Sequence, residues 1–203
     1  SAPPPAPPLR WSLCRRKRGS GFDRQSRRAE VEVDVVVRNI RVGHVFPEGT
    51  LDNKDIWLEF SVASPSGEAL FQTGGRAAQG NLSPESHRYG ATLIDAAGQR
   101  IDKRNIGEFR VALFKRVIGP GQSDVARYRF TVPPGIDGAL TLKAALRYAK
   151  VRPDYAEFTF ASKRVDPLPP VGSDTESVRY ERDPAGLIPE LPIREVAGDT
   201  AKL

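Results

Sequence analysis

The chain has 203 residues, one cysteine, no methionine and a formal net charge of +6, a size that allows one domain with its own hydrophobic core and some extensions. No run of 18 apolar residues occurs, so we expect no membrane-spanning helix. The charge is uneven, because residues 1–28 contain eight basic side chains and one acidic side chain, whereas the remainder sums to −1. Only two aromatic residues accompany those charges, which argues against a nucleic-acid partner.

Three regions follow in chain order. Residues 1–28 begin with a proline-rich stretch and continue with arginines, a composition that predicts a basic, extended arm. Residues 29–163 alternate apolar and polar side chains with a period of two and predict a β-sandwich domain. Residues 164–203 contain six prolines and little periodicity, so we expect a Pro-rich extended tail.

The first half of the domain predicts strands and tight turns. Alternating apolar residues mark one strand around residues 31–37 and another around residues 56–62. The Ser-Pro-Ser-Gly sequence at residues 64–67 predicts a turn, with residues 69–72 returning as the hairpin partner. A second hairpin is expected within residues 91–101, across Asp-Ala-Ala-Gly.

The second half continues the pattern. Strands are predicted at residues 109–114, 126–132 and 140–148, and residues 155–160 are predicted to form the last strand. Pro and Gly punctuate these segments, and no long helical period occurs. The predicted fold class is therefore all-β, an immunoglobulin-like antiparallel β-sandwich, with a closed barrel as the alternative.

One segment carries a recognisable pattern of residues. Residues 43–50 read Gly-His-Val-Phe-Pro-Glu-Gly-Thr, and residues 57–59 read Trp-Leu-Glu. This pattern resembles the non-haem β domain of multihaem c-type cytochromes, and the resemblance extends over about residues 31–160. It implies a β-sandwich on the periplasmic or extracellular side of a membrane, in the company of haem proteins.

The chain departs from that family in one respect. Covalent c-type haem attachment needs Cys-x-x-Cys-His, and the only cysteine, Cys14, is followed by Arg-Arg-Lys. We therefore expect no covalent haem. We also find no nucleophile elbow and no P-loop, so we expect no enzymatic activity.

The resulting hypothesis is a non-catalytic accessory subunit. It would dock on a multihaem c-type cytochrome or on other subunits of a membrane-associated electron-transfer complex, such as a photosynthetic reaction centre or a respiratory assembly. Two alternatives stay open: an independent metal- or small-molecule-binding module, and a fragment of a larger multihaem cytochrome.

Two candidate ligand sites lie in the 43–60 segment. His44 is a candidate axial ligand for a haem held by another chain, although a histidine in such a loop also serves to order it by hydrogen bonds. The carboxylates of Glu48, Asp52 and Asp55 are candidates for a calcium site, without the spacing of a helix-loop-helix calcium loop.

Residues at the two ends are the candidates for partner binding. Basic and aromatic side chains of the arm suit an anionic membrane surface or an acidic protein face, and extended proline segments suit contact with a protein. The residues assigned to partner binding are Trp11, Arg15, Arg16, Lys17, Arg18, Pro189 and Pro192.

Overall fold

The structure is a computed structural model that describes residues 9–16, 29–40, 42–76, 80–103, 105–167 and 179–203, the first of these ranges as backbone. Eleven strands, one α-helix and one 3-10 turn lie in these ranges. In chain order they are β1 (Leu9–Arg16), β2 (Ala29–Asn39), β3 (Asp55–Ala63), β4 (Ala69–Thr73), β5 (Arg88–Ile94), the 3-10 turn Ile106–Glu108, β6 (Val111–Arg116), β7 (Ser123–Val132), β8 (Thr141–Ala149), α1 (Pro153–Ala161), β9 (Ser162–Arg164), β10 (Tyr180–Arg182) and β11 (Ile193–Lys202).

The smaller layer is a three-stranded antiparallel sheet in the order β1-β2-β7. Four valines of β2, at positions 31, 33, 35 and 37, alternate with Glu32 and Asp34, so one face of the strand is apolar and the other carries the two acidic side chains. Both carboxylates are nevertheless buried, and β7 supplies their partners: Nε of Arg129 lies 2.7 Å from Oε2 of Glu32, and Nε of Arg127 lies 2.7 Å from Oδ1 of Asp34. The outer face of this sheet is therefore a layer of ion pairs.

The larger layer is a six-stranded antiparallel sheet. Its strands run in the order β11-β8-β3-β5-β6, and β4 also pairs with β3. Strand β3 pairs with β8 along its whole length, with β5 at Ile56 and Trp57, and with β4 from Phe60 onward. Strand β3 therefore connects all parts of the sheet.

The core lies between the two layers. Buried apolar residues of β2 and β7 face those of β3, β5 and β8. At its centre Phe60, which is fully buried, stacks on Tyr128 with ring centroids 4.6 Å apart, and Phe71 packs against Phe130 with centroids 5.6 Å apart. Such stacked aromatic pairs add specific contacts to the burial of apolar area.

This arrangement confirms the predicted class, an all-β antiparallel sandwich, and the predicted hairpin of β3 and β4. The strand predicted at residues 155–160 is wrong, because these residues belong to α1. Pro153 at the first helical turn has its φ preset for a helix, and Tyr155 and Phe158, three residues apart, lie on one side of it. No helix within the described ranges is long and apolar enough to cross a membrane.

Strands also occur in the segments predicted to be arm and tail. In the arm, β1 pairs with β2, with Trp11 opposite Val37 and Arg16 opposite Glu32. In the tail, β11 pairs with β8, and Leu203 exchanges backbone hydrogen bonds with Leu140 at 2.9 and 3.0 Å. Both layers therefore extend beyond residues 29–163, because strands at the edge of each sheet leave backbone groups open to pairing.

The aromatic stack generates a stability prediction. Phe60→Ala should lower the free energy of unfolding by about 3–5 kcal/mol, because it removes a buried ring and leaves a cavity beside Tyr128. Phe160→Ala is the control, since Phe160 is 46% exposed and its truncation should cost less than about 1 kcal/mol. Urea unfolding followed by fluorescence measures both, and equal losses would contradict this description of the core.

Candidate functional site

One buried amide organises the loop between β2 and β3. Asn39 is fully buried at the end of β2, and its Nδ2 donates to the carbonyl oxygens of His44 at 2.9 Å and Ile118 at 3.1 Å. Phe46 and Ile118 also exchange backbone hydrogen bonds at 2.8 and 2.6 Å. The loop is therefore tied from its buried side to the segment that precedes β7.

His44 lies on the outside of this loop. Its side chain is 56% exposed, and its Nδ1 lies 2.6 Å from Oε2 of Glu48 and 2.9 Å from the carbonyl oxygen of Val45. Both neighbours are acceptors, so Nδ1 is the ring nitrogen that donates to them. Within the described ranges Nε2 has no hydrogen-bond or ion-pair partner. Histidine ligands of metals commonly have this arrangement, with one nitrogen held by a carboxylate or a carbonyl.

The three carboxylates predicted as a calcium site are not assembled into one. Glu48 is exposed and faces His44, while Asp55 is buried and faces arginines. Asp52 is also buried. Among the residues that the structure describes, no group of three or more His, Cys, Asp or Glu side chains is arranged to hold a metal ion.

Asp55 instead belongs to an ion-pair network on the outer face of the larger sheet. Its Oδ2 lies 3.1 Å from Nη2 of Arg76, and its Oδ1 lies 3.9 Å from Nε of Arg152. Burial raises the pKa of the Asp55 carboxyl, and the nearby cations Arg152 and Arg76 offset part of that effect. The carboxylate is therefore a structural anion whose ionised form depends on its arginines.

Trp57 packs against this network on the side that faces the sheet. The side chain is fully buried beneath Arg76, whose guanidinium carbon lies 4.6 Å from the ring centroid, and its Nε1 donates to the carbonyl of Gly74 at 2.8 Å. Gly74 has φ +82°, and a Cβ there would lie 2.1 Å from the carbonyl oxygen of Leu58. Only glycine therefore lets the loop after β4 approach β3 closely enough to bring Arg76 over Trp57.

The network continues through the first turn of α1. Asp154 accepts from Nη2 of Arg100 at 2.5 Å, and its Oδ1 lies 3.3 Å from Nε of Arg152. Burial alone would raise the pKa of Asp154, but the cations Arg152 and Arg100 outweigh it and lower that pKa. Asp154 therefore joins α1 to the sheet through two guanidinium groups.

A cavity of about 780 Å³ lies between α1, the segment after β4 and the tail. Its wall is mixed, with charged side chains on one part and apolar side chains of the tail on another. Residues that line it include Arg76, Glu157, Arg182, Pro189, Leu191 and Ile193. The volume falls in the usual range of small-molecule pockets, about 300–1,000 Å³.

The residues predicted to bind partners have different positions. Pro189 lines the cavity and is exposed, and Pro192 is exposed just before β11. Trp11, Arg15 and Arg16 lie on the backbone of β1; the predictions for Lys17 and Arg18 fall outside the described residues.

The second histidine joins the two layers. Nε2 of His87, just before β5, lies 2.7 Å from Oδ2 of Asp124 on β7, and both side chains are largely buried. The hydrogen bond from His87 is the main reason that the pKa of Asp124 lies below its ordinary value. His87 therefore joins two strands from a largely buried position, whereas the side chain of His44 and its partner Glu48 are both more than half exposed.

The arginines of this face are not among the residues predicted from the sequence. Their positions in the sequence give no pattern, because they come from β5, from the loops after β4 and β8, and from the hairpin after β5. One feature of the sequence could have indicated them. Asp55 and Trp57 are two residues apart in a strand, so a carboxylate and an indole lie on the same face, and both are groups that attract a guanidinium.

The comparisons with known proteins concern the fold. No protein-family model matches the chain, and no curated protein sequence matches it. Among solved structures, the crystal structure of a penta-heme cytochrome c552 from Thermochromatium tepidum is similar, with a TM-score of 0.56 and 14% sequence identity. The similarity covers 97% of this chain and 40% of that chain. At this identity the likeness defines a shared fold, and this chain spans less than half the length of that cytochrome.

The His87–Asp124 pair generates a pH prediction. A carboxyl whose pKa is lowered in the folded state stabilises the fold above its unfolded pKa, here near 3.8, and this contribution is lost as the pH falls through the lower folded pKa. Asp124→Asn should therefore reduce the free energy of unfolding at pH 7 by about 1 kcal/mol, and less at pH 3. Urea unfolding across pH measures the difference, with the exposed Asp137→Asn as control. A difference that grows toward acid pH would contradict the assignment.

Proposed function

We propose that the chain is a non-catalytic accessory subunit that docks on a multihaem c-type cytochrome, or on the membrane electron-transfer complex that contains one, at the periplasmic or extracellular side. The observation that carries the proposal is the fold similarity to a penta-heme cytochrome over 97% of this chain, combined with a sequence whose one cysteine, Cys14, is not part of a haem-attachment motif. A fold shared with a haem protein, without a covalent haem site in this sequence, favours a role beside a haem carrier.

An exposed apolar edge supports docking to a protein. Strand β6 lies at the edge of the larger sheet, and its side chains Val111 and Leu113 are 52% and 71% exposed. Ile106 and Phe109, just before the strand, are 46% and 41% exposed. Exposed apolar residues on a sheet edge are typical of interaction surfaces, since an unprotected edge of this kind otherwise promotes aggregation. We call these four residues the β6 edge and assign it to the partner.

His44 supplies a second point of contact. An exposed imidazole whose Nδ1 is held by Glu48 and whose Nε2 has no partner among the described residues fits an axial ligand for a haem of the partner. A haem iron accepts such an imidazole as an axial ligand, and the ligand affects its reduction potential. In this proposal Glu48 orients the ring, and Asn39 holds the backbone that carries it.

The alternatives rest on two other observations. The cavity of about 780 Å³ favours an independent small-molecule-binding module, and the coverage of 40% of the cytochrome favours a fragment of a larger multihaem protein. Intact-mass analysis of the native polypeptide identifies a fragment, because a longer covalent chain with haem would have a correspondingly larger mass. Native mass spectrometry of the isolated chain detects a small molecule bound in the cavity.

Co-purification tests docking. The tagged chain should retain a multihaem cytochrome from native membranes at near-equal stoichiometry, whereas the isolated chain should show no Soret absorbance. Leu113→Glu should reduce the retained cytochrome at least tenfold, because it places a charge in the β6 edge; Phe160→Glu, at an exposed apolar position on α1, should not. Stoichiometric haem in the isolated chain, or equal retention by both variants, would refute the proposal.

Spectroscopy of the complex tests the ligand. His44→Ala should convert one haem of the partner from low-spin to high-spin, with little change in the amount of complex, because the axial nitrogen is lost. His87→Gln is the control, since the other histidine is held by Asp124. An unchanged haem spectrum for His44→Ala would remove the ligand role while leaving docking intact.

A further inference from the structure

Arg88 stands apart from Arg76, Arg100 and Arg152 because, among the described residues, no carboxylate lies within ion-pair distance of its guanidinium. At the start of β5, its guanidinium lies 4.5 Å from the ring centroid of Phe114, and its Nη2 donates to Oγ1 of Thr92 at 2.9 Å. In the described part of the chain, ion pairs are formed by Arg76, Arg100 and Arg152, whereas none is formed by Arg88. A half-buried guanidinium therefore keeps hydrogen-bond donors without an anionic acceptor.

Three more guanidinium groups surround Arg88. Arg152 and Arg88 line the same small cleft, together with Phe114. Arg116 lies 5.6 Å from the centroid of that ring, and its Nη1 donates to the carbonyl oxygen of Arg88 at 3.4 Å. Arg100 joins Arg152 through Asp154. We call Arg88, Arg100, Arg116 and Arg152 the arginine cluster.

The two carboxylates beside the cluster are already engaged. Asp154 is shared by Arg100 and Arg152, and Asp55 is shared by Arg152 and Arg76. Three guanidinium groups, those of Arg76, Arg100 and Arg152, thus share Asp55 and Asp154, while Arg88 and Arg116 form no ion pair in the described part of the chain. The pKa of Arg88 is lowered, first by burial and then by the cations Arg152 and Arg100. Arginine stays charged at any physiological pH, so the repulsion persists in the folded chain.

We propose that the arginine cluster binds an oxyanion that carries two negative charges, either a phosphate group or a pair of carboxylates. Guanidinium groups present planar pairs of N–H donors that match such oxygens bidentately, and several guanidinium groups together favour a dianion over a monoanion. Arg88 donates first, because no described carboxylate forms an ion pair with its guanidinium, and Arg100, whose side chain is 37% exposed, contacts the anion from the solvent side. Phe114 holds the plane of Arg88 in place.

Titration of the isolated chain tests the site without any partner. Sodium phosphate and sodium malonate, added separately at constant ionic strength, represent the phosphate and the dicarboxylate. NMR of the arginine side-chain N–H groups should show saturable shifts for at least one of them, with Arg88 among the shifted signals. Sodium chloride at the same ionic strength should give no saturation, because screening alone has no binding curve.

A matched pair of variants locates the binding. Arg88→Gln should weaken the apparent affinity at least tenfold. Arg147→Gln is the control, because it removes the same charge from the same sheet. Arg147 has its own carboxylate partners, Glu59 at 2.7 Å and Glu195 at 3.0 Å, so its loss should leave the affinity within twofold. If Arg88→Gln fails to fold, Arg100→Gln replaces it, with an expected loss of at least threefold.

Three outcomes would overturn the proposal: shifts that do not saturate, shifts that chloride reproduces, or equal weakening in Arg147→Gln. Saturation by phosphate alone assigns the site to a phosphate group, and saturation by malonate alone assigns it to carboxylates. Because no cytochrome is present in this experiment, its failure would not affect the proposed docking, and the loss of docking would not affect this site.

Discussion

The two faces of strand β3 hold the molecule together. One face places Ile56, Leu58, Phe60 and Val62 in the core, and the other places Asp55 and Trp57 beneath the outer layer. The same strand pairs with three others. A shift of one residue in its register would exchange the two faces, so the aromatic core and the ion-pair network depend on the same alignment. The proposed oxyanion site also depends on it, since Arg88 is paired with Trp57.

Charge pairing covers both outer faces of the sandwich. On the smaller sheet, Glu32 and Asp34 are buried beneath arginines of β7, and on the larger sheet Asp55 is buried beneath Arg76. A buried carboxylate without a cation is strongly unfavourable, so these arginines are part of the fold. Arg88 forms no ion pair of this kind within the described residues, and this is why we place it first among the four arginines of the proposed oxyanion site.

In the loop with the Gly-His-x-Phe-Pro pattern, the side chain that holds the backbone is buried and the candidate ligand is exposed. Asn39 holds its backbone from inside, while His44 and Glu48 stay at the surface. A side chain can change on such a loop without loss of the fold, and a loop held by a rigid scaffold is a common place for binding residues. The proposed haem ligand is therefore independent of the core.

The sequence by itself determined the layers. Period-two alternation in β2, β3, β7 and β8 predicted a sandwich because the period of a strand is a local property of the backbone. The alternation did not predict β11, since an edge strand is selected by the open backbone groups of its neighbour. It did not predict α1 either, because the short apolar segment around Tyr155 and Phe158 was interpreted as a strand. The arginine cluster was decided only by the tertiary structure. Its members are distant in the sequence, and their shortage of carboxylates emerges only when the folded strands and loops bring them to one face.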